Sequence, residues 1–347
     1  MSVKILTEKI FNSGSNDKFY FLSRSDFNWD KIFLNSSPQI VFYRSNYIEF
    51  AIECLRGNDI LCVDLSMGIQ LDGKILALFP LFYIENEHKK TLGFLENNVC
   101  PPVFIHSISR KIEKEISKLI LEKLKLLFLQ LRINNPIISD QFSPSESLSI
   151  WHKVILDNSK KCQVIRESFL NLNSDYSRIR SHFRKSYKAL ISKAHKFFQP
   201  SKMEINHKGI WNEFKTLHYK SAGRKTRSDK SWDLLFEELK ARKSNFYFCR
   251  DRDGKMRGGS LVMKSNFEAF YAVAAYDRDL FHLPIGHLMQ DFIIKDLINT
   301  EIKWYRLGRL YKTTDFDQPS EKEIQIGQFK AGFSSDLVAT YRFTEFQ

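Results

Sequence analysis

Two Asp-Gly-Lys triplets, Asp72-Gly73-Lys74 and Asp253-Gly254-Lys255, each interrupt a run of apolar and β-favouring residues. An Asp-Gly pair readily adopts the positive φ angles that a tight hairpin needs, so each triplet predicts a strand, a turn and a strand. The first hairpin falls within "DILCVDLSMGIQLDGKILALFPLFYI" (59–84), the second within "FYFCRDRDGKMRGGSLVMKSNFEAFYAVA" (246–274). The first is followed by the apolar stretches "TLGFL" and "CPPVFI". Then comes an amphipathic pattern over about 110–132, with apolar residues at i, i+3 and i+4, and a short strand in "NPIISD". The second is followed by the strand "AFYAVAAY", a helix "PIGHLMQDFIIKDLI" opened by Pro284, and the strand "IKWYRLG". The shared order of hairpin, strand, helix and strand points to an internal duplication. It predicts an α/β (α+β) chain of two units, each a mixed, mostly antiparallel sheet flanked by helices.

The chain has 347 residues and is 43% hydrophobic, enough for two packed cores. Its longest nearly apolar run, "ILALFPLFYI", is shorter than the about 20 residues needed to cross a bilayer. The first residues carry no signal-peptide pattern. The expectation is a cytoplasmic protein without membrane insertion. The five cysteines stand singly and the histidines are dispersed, so neither a metal site nor a disulfide framework is expected.

The net charge of +13 is concentrated in one stretch. From Tyr176 to Arg227 there are 14 Lys or Arg and only two acids, Glu204 and Glu213. Such a strip suits a polyanion: nucleic acid, a nucleotide-linked substrate or a phosphorylated cofactor. Within it, "SDYSRIRSHFRKSYKALISKAHKFF" predicts a basic linking helix over 173–200. It would join an N-terminal domain, 1–172, to a C-terminal one, 201–347.

The order of elements resembles two tandem GNAT-like domains joined by a basic helix, as in the FemAB-like acyltransferases. The residues that carry the resemblance are "RKSYKALISKA" (184–194), "GRKTRSDKSW" (223–232), "YDRDLFHLPIGHLMQ" (276–290) and "EKEIQIGQFKAGF" (321–333). The resemblance implies transfer of an acyl group to an amine. One branch takes aminoacyl-tRNA as donor and acts on cell-envelope precursors. The other is similar to sugar N-acyltransferases of surface-polysaccharide pathways. Those use acyl-CoA, a short hydroxyacyl-CoA among the candidates, and act on a dTDP- or UDP-linked amino sugar. Peptidoglycan-bridge members of the first branch carry a long helical arm in the second domain. No such segment stands here, which favours the sugar branch.

The resemblance also implies roles for particular residues. Coenzyme A would lie at the end of the strand that closes on Tyr276, near Arg278. Its pyrophosphate would rest on the N–H groups of Leu283, Ile285, Gly286 and His287 at the following helix start. Asp277, Glu323 or His287 would take the amine proton, and Tyr311 would protonate the departing thiolate. Arg224, Lys225, Thr226 and Arg227 would grip the acceptor's diphosphate. Trp232 would stack on a base or sugar, or else lie in the core. Arg184, Lys188 and Lys330 would touch substrate or remain solvated. The first domain, lacking a counterpart of "GRKTRS", is expected to be supporting.

Overall fold

The computed structural model describes residues 2–13, 18–140, 144, 148–204 and 207–346. The chain forms two compact units, residues 1–165 with 339–347, and residues 166–338.

The first unit contains α1 (Val3–Phe11), β1 (Tyr20–Ser23), α2 (Trp29–Phe33), β2 (Ser36–Ser37), α3 (Ser45–Arg56), β3 (Leu61–Asp64), β4 (Met67–Leu71), β5 (Lys74–Phe79), β6 (Phe82–Glu85), β7 (Lys90–Gly93), β8 (Val103–Ile105), α4 (Arg110–Leu131), β9 (Ile138–Asp140) and α5 (Ile150–Leu156). One sheet has the order β1-β4-β5-β8-β2, and β3, β6 and β7 form a second. Asp72 and Gly73 both have positive φ, 48° and 77°, so the β4–β5 hairpin closes through the expected two-residue turn. Helix α4 starts at Ser109, whose hydroxyl accepts from the Ile112 N–H. It buries the stripe Ile116, Ile120, Leu124 and Leu127 against Phe11, Phe79 and Trp151.

The second unit is built from β10 (Ser159–Asn171), α6 (Tyr176–His182), α7 (Tyr187–Ala194), β11 (Gln199–Lys202), α8 (Lys208–Ala222), α9 (Asp229–Lys240), β12 (Ser244–Arg250), β13 (Met256–Lys264), β14 (Glu268–Tyr276), α10 (Ile285–Leu297), β15 (Trp304–Leu310), α11 (Glu321–Ala331) and β16 (Asp336–Phe346). Strands β10 and β16 each run past the unit's boundary. The strand order is β11-β12-β13-β14-β15-β10, antiparallel except between β14 and β15, which run parallel. Helices α6, α7 and α10 bury one apolar cluster, containing Phe183, Tyr187, Ile191, Leu288, Ile293, Tyr305 and Phe333. Rings from α8, α9 and β12 meet in a second aromatic group: Trp211, Phe214, Trp232, Phe236 and Phe246. The second Asp-Gly turn differs from the first. Its loop has five residues, 251–255, organised by Asp251, whose carboxylate accepts from the N–H groups of Asp253 and Lys255.

The single basic helix expected over 173–200 is two helices followed by a strand. Buried Ile179, Phe183, Tyr187, Ile191 and Ala194 have the spacing of one continuous stripe. The break comes at Phe183, whose backbone turns extended (ψ 143°), and the next N–H, of Arg184, donates to the Gly332 carbonyl at 2.8 Å. A tertiary hydrogen bond thus replaces a helical one, and both helices belong to the second unit.

Gly259 and Gly209 offer a packing test. A Cβ at Gly259 would stand 2.6 Å from Phe214 and 2.8 Å from Phe246, whereas at Gly209 it would meet nothing within 4 Å. Gly259→Ala should destabilise the protein by about 1–3 kcal/mol through overpacking. Gly209→Ala, in the first turn of α8, should be neutral or stabilise by up to about 1 kcal/mol. Urea denaturation of the two variants beside wild type checks both expectations.

Candidate active site

Strands β14 and β15 are hydrogen-bonded over only three residue pairs, Glu268–Phe270 against Trp304–Arg306. Beyond that point both continue, β14 to Tyr276 and β15 to Leu310, without pairing to each other. Each strand shifts register against its outer neighbour just where they part. Ala272 is an extra residue against β13, and Leu307 an extra residue against β10. A bulge bends its strand and increases its twist, so the paired bulges open a V-shaped gap. The bulge at Ala272 has a further effect. Tyr271 and Tyr276, five residues apart, would face opposite sides of a regular strand. Here their hydroxyls meet at 2.8 Å.

The amino group of Lys330, on α11, stands between the parting strands. Nζ lies 5.6 Å from the Tyr271 ring centroid on β14. On β15 a Cβ at Gly308 would come within 3.2 Å of Nζ, so the glycine leaves room for the amine. Gly308 also has φ +104°, a conformation that side-chain-bearing residues rarely adopt. Burial lowers the Lys330 pKa to about 8, against a smaller opposing pull from Glu167. A glycine inside a strand pattern, as in "WYRLGRL", is a sequence sign by which this gap could have been found.

Hydroxyl groups gather beside the gap. The Tyr276 hydroxyl is bonded to those of Tyr271 and Ser260, the latter at 3.0 Å. Gln290, fully buried on α10, accepts from the Tyr305 hydroxyl at 3.1 Å through Oε1. Burial is the main cause that raises the pKa of both Tyr271 and Tyr276, so both phenols stay protonated at neutral pH.

The start of α10 borders Tyr276. A Cβ at Gly286 would meet Phe329 at 3.2 Å and Tyr276 at 3.7 Å. His287 sits edge-on to Tyr187 (4.4 Å between centroids) and to Phe329 (5.0 Å). Arg184 lies over the Tyr187 ring at 5.3 Å and donates to the Gln328 carbonyl. Burial, with the nearby Arg184 charge, lowers the His287 pKa to about 4. The structure thus gathers Arg184, Tyr276, Gly286, His287 and Lys330 around one feature. Sequence reading missed Tyr187, Tyr271, Ser260 and Gln290 there, because each reads as an ordinary core position.

Several expected residues stand elsewhere or are engaged. Asp277 is buried and accepts from Arg257 (2.8 Å), Lys220 (3.1 Å) and the Asp279 N–H (3.3 Å). Burial opposes its charge, but Arg257 and Lys220 outweigh it and hold the pKa below the usual carboxylate value. A carboxylate so paired is a poor proton acceptor, and its role is to fix the end of β14. Glu323 closes a capping box with Ser320 at the start of α11, and that bonding lowers its pKa. It precedes Lys330 by about two helical turns, roughly 10 Å along the axis. Trp232 is 1% exposed within the aromatic group beside α8, so its ring is core and cannot stack on a ligand. Ile285 is likewise buried and Leu283 packs against the same core, and their N–H groups donate to the Leu283 and Leu280 carbonyls at 2.9 and 2.8 Å, so neither N–H is open to a phosphate. Arg278 and Lys188 are exposed. Tyr311 follows β15, its ring 4.4 Å from the Arg309 guanidinium, and its N–H side packs on Gly327, one turn from Lys330.

The cationic turn 224–227 follows α8, whose end is tied to the end of β14. Ser221 donates to the Tyr276 carbonyl at 2.7 Å, and Lys220 donates to Asp277 and Asp279. Within the turn, Lys225 pairs with Asp229, Thr226 meets His218 Nδ1 at 3.3 Å, and Arg227 covers the Trp232 ring at 5.2 Å. Arg224 is exposed. Among the described residues, no helix is long and apolar enough to cross a membrane.

No protein-family model matches the sequence, and no curated protein sequence matches it. Solved structures do. The crystal structure of FemX is similar over 95% of this chain and 98% of its own, with a TM-score of 0.65 at 9% identity. The C-terminal domain of a protein described as a lysylphosphatidylglycerol synthetase from Agrobacterium fabrum is similar over 85% of this chain and 86% of its own (TM-score 0.53, 12% identity). L-PGS from Bacillus licheniformis is similar over 79% and 82% (TM-score 0.52, 11% identity). The chain therefore has a FemX-like fold over nearly its whole length.

Proposed function

We propose that the protein is an N-acyltransferase that carries an acyl group from acyl-CoA to the amine of a nucleotide-linked amino sugar, dTDP- or UDP-linked, in surface-polysaccharide synthesis. The observation that supports acyl transfer is the gap between β14 and β15, with the Lys330 amine inside it and the start of α10 beside it. A thioester laid in this gap would place its CoA phosphates toward the Gly286 N–H, at a helix N-terminus that favours anions, while the His287 N–H donates to the Pro284 carbonyl at 3.1 Å. Arg184 stands close by to add charge. Support for a phosphorylated acceptor comes from the turn at Arg224, Lys225, Thr226 and Arg227, anchored to the end of β14. That turn joins α8 to α9, whereas Gly286 and His287 belong to α10.

In this reading the acceptor amine attacks the thioester carbon, a C–N bond forms, and the C–S bond breaks to release CoA thiolate. Lys330, whose pKa of about 8 lies near working pH, takes the amine proton when neutral. It replaces Asp277 and Glu323 in that role. His287, with a pKa near 4, is too weak a base to hold the proton and instead packs the donor side. Tyr311, just after β15 and with its backbone against Gly327, one turn from Lys330, remains the candidate to return a proton to the thiolate.

A second reading is aminoacyl transfer from tRNA to a cell-envelope precursor. Likeness to FemX and to a protein described as a lysylphosphatidylglycerol synthetase favours it. So do the exposed Arg178, Lys185, Lys188, Lys193 and Lys196 of the α6–α7 segment. The missing helical arm does not separate the two readings. This chain matches 98% of the FemX chain, leaving no room there for a large extra segment.

Mass spectrometry after incubation with acyl-CoAs and a panel of dTDP- and UDP-amino sugars should show an acylated sugar and free CoA. Absence of both, with salt-sensitive binding of tRNA in a gel shift, would select the second reading. The Lys330→Met variant should lose about 10²- to 10⁴-fold in turnover. In wild type the rate should rise with pH to a plateau above about 8, and that limb should be missing from Lys330→Met. A rate that falls above pH 8, with activity retained in Lys330→Arg, would make Lys330 a fixed cation instead. The lowered pKa also has a sign for stability. The unfolded chain holds this proton up to about pH 10.4, the folded one only to about 8. Stability lost to the buried ammonium should therefore be recovered between pH 8 and 10 in wild type relative to Lys330→Met, measured by denaturant titration. Arg224→Ala should raise the KM for the acceptor about tenfold with an unchanged thermal midpoint. An unchanged KM would return the turn to plain surface.

A further inference from the structure

The side chain of Ser168, on β10, is fully buried, and its Oγ has no hydrogen-bond partner among the described residues. Buried hydroxyls are normally bonded, and stranding one is costly. Ser168 pairs with Gly308 of β15, next to the bulge at Leu307. Opposed residues of an antiparallel pair present their side chains on the same face of the sheet. That face is the one covered by α6, α7 and α10. Leu170, two positions on from Ser168, lies in their apolar cluster together with its own pair partner, Tyr305. Phe169 points the other way, with the Arg306 guanidinium over its ring.

Lys330 faces Ser168 across the glycine. Apart from its chain neighbours, a Cβ at Gly308 would find one protein atom within 4 Å, Lys330 Nζ at 3.2 Å. Any other residue at 308 would put a side chain between the hydroxyl and the amine. Cross-strand Cβ positions stand about 4.5–5.5 Å apart, so Ser168 Oγ and Lys330 Nζ flank the place over Gly308 within roughly 9 Å of each other. A carbonyl under attack by an amine fits that span. Its nitrogen can be hydrogen-bonded on one side and its oxygen on the other, over about 5–8 Å from end to end. With Lys330 on the nitrogen, the atom left for Ser168 is the carbonyl oxygen.

We propose that Ser168 is a catalytic residue whose hydroxyl donates to the acyl carbonyl oxygen as the acceptor amine attacks. This deepens the acyl-transfer reading above and rests on it. As the C–N bond forms, the carbonyl π pair moves onto oxygen, and the Ser168 O–H holds that charge while keeping its proton. When the pair returns, the C–S bond breaks and the thiolate leaves, while the amine proton goes to Lys330. A donor fixed in a buried place, with no other bond to break first, needs no reorganisation at that moment.

Ser168→Ala in the full-length protein tests this. Without substrate, removal of a stranded hydroxyl should leave the thermal midpoint unchanged or raise it by a few degrees. With acetyl-CoA or 3-hydroxybutyryl-CoA and the panel of dTDP- and UDP-amino sugars, release of the CoA thiol should fall about 10²- to 10³-fold in kcat. Both KM values should stay within about threefold, since the bond is made to the transition state. The rise of rate with pH should keep its midpoint near 8, because Lys330 is untouched. Ser168→Cys, which brings a weaker donor, should fall between wild type and Ser168→Ala. A kcat within about threefold of wild type in Ser168→Ala would overturn the inference and leave the acyl-transfer reading standing. A clear drop in its thermal midpoint would do the same, because the hydroxyl would then have a structural bond. Wild type that releases no CoA with any pair of substrates would overturn the acyl-CoA reading, and this inference with it.

Discussion

The candidate site depends on the short pairing of β14 with β15. Three parallel pairs hold the strands together, and the last of them ends at Arg306. That guanidinium is fully buried, faces Glu268 and Glu167 at 3.5 Å, and lies over Phe169 at 4.9 Å. A charge so deep in the sheet is tolerated only with such partners, and removing one of them typically destabilises by about 3–5 kcal/mol. The ion pairs therefore pin the closed end of the V. Beyond them each strand takes one extra residue, and the strands separate.

Everything chemical in the second unit is placed relative to that separation. Lys330 reaches the gap because α11 packs along β15, close enough that Gly327 sits 3.1 Å from the Arg309 and Tyr311 backbone in the measure of an added Cβ. The amine keeps a near-neutral pKa because it is desolvated there. The start of α10 follows Tyr276 by a loop whose first residue, Asp277, is held by Arg257 and Lys220. The ion-pair network is thus a brace for the mouth of the gap. It also explains why a carboxylate in a promising position is chemically quiet.

The two cationic regions of the sequence prove to be different things. In the turn 224–227, three of the side chains are committed: Lys225 to Asp229, Thr226 to His218 and Arg227 to the Trp232 face. Along α6 and α7, the apolar residues Ile179, Phe183, Tyr187 and Ile191 point into the core, and Arg178, Lys185, Lys188 and Lys193 are left in solvent. Within that segment Arg184 is the cation that reaches His287 and Tyr187. Net charge in a sequence window therefore located a region, and contacts decided which members face the site.

Periodicity and turn chemistry determined much of the fold from the sequence alone. The Asp72-Gly73 turn, the stripe of α4 and Pro284 before α10 are local signals, and each is formed by residues within a few positions of one another. The family resemblance added the plan of the second unit and the neighbourhood of Tyr276, Gly286, His287 and Lys330. What local signals could not carry was settled by long-range contact. The break at Phe183 comes with a hydrogen bond to Gly332, and the closure of Asp277 is by Lys220, 57 positions earlier in the chain, and Arg257. The meeting of Tyr271 with Tyr276 needs a bulge that no pattern of alternation announces. A carboxylate's neighbours, and with them its proton affinity, are a property of the packed sheet. Sequence therefore named the elements around the gap, and only tertiary structure decided which side chains inside it are available for chemistry.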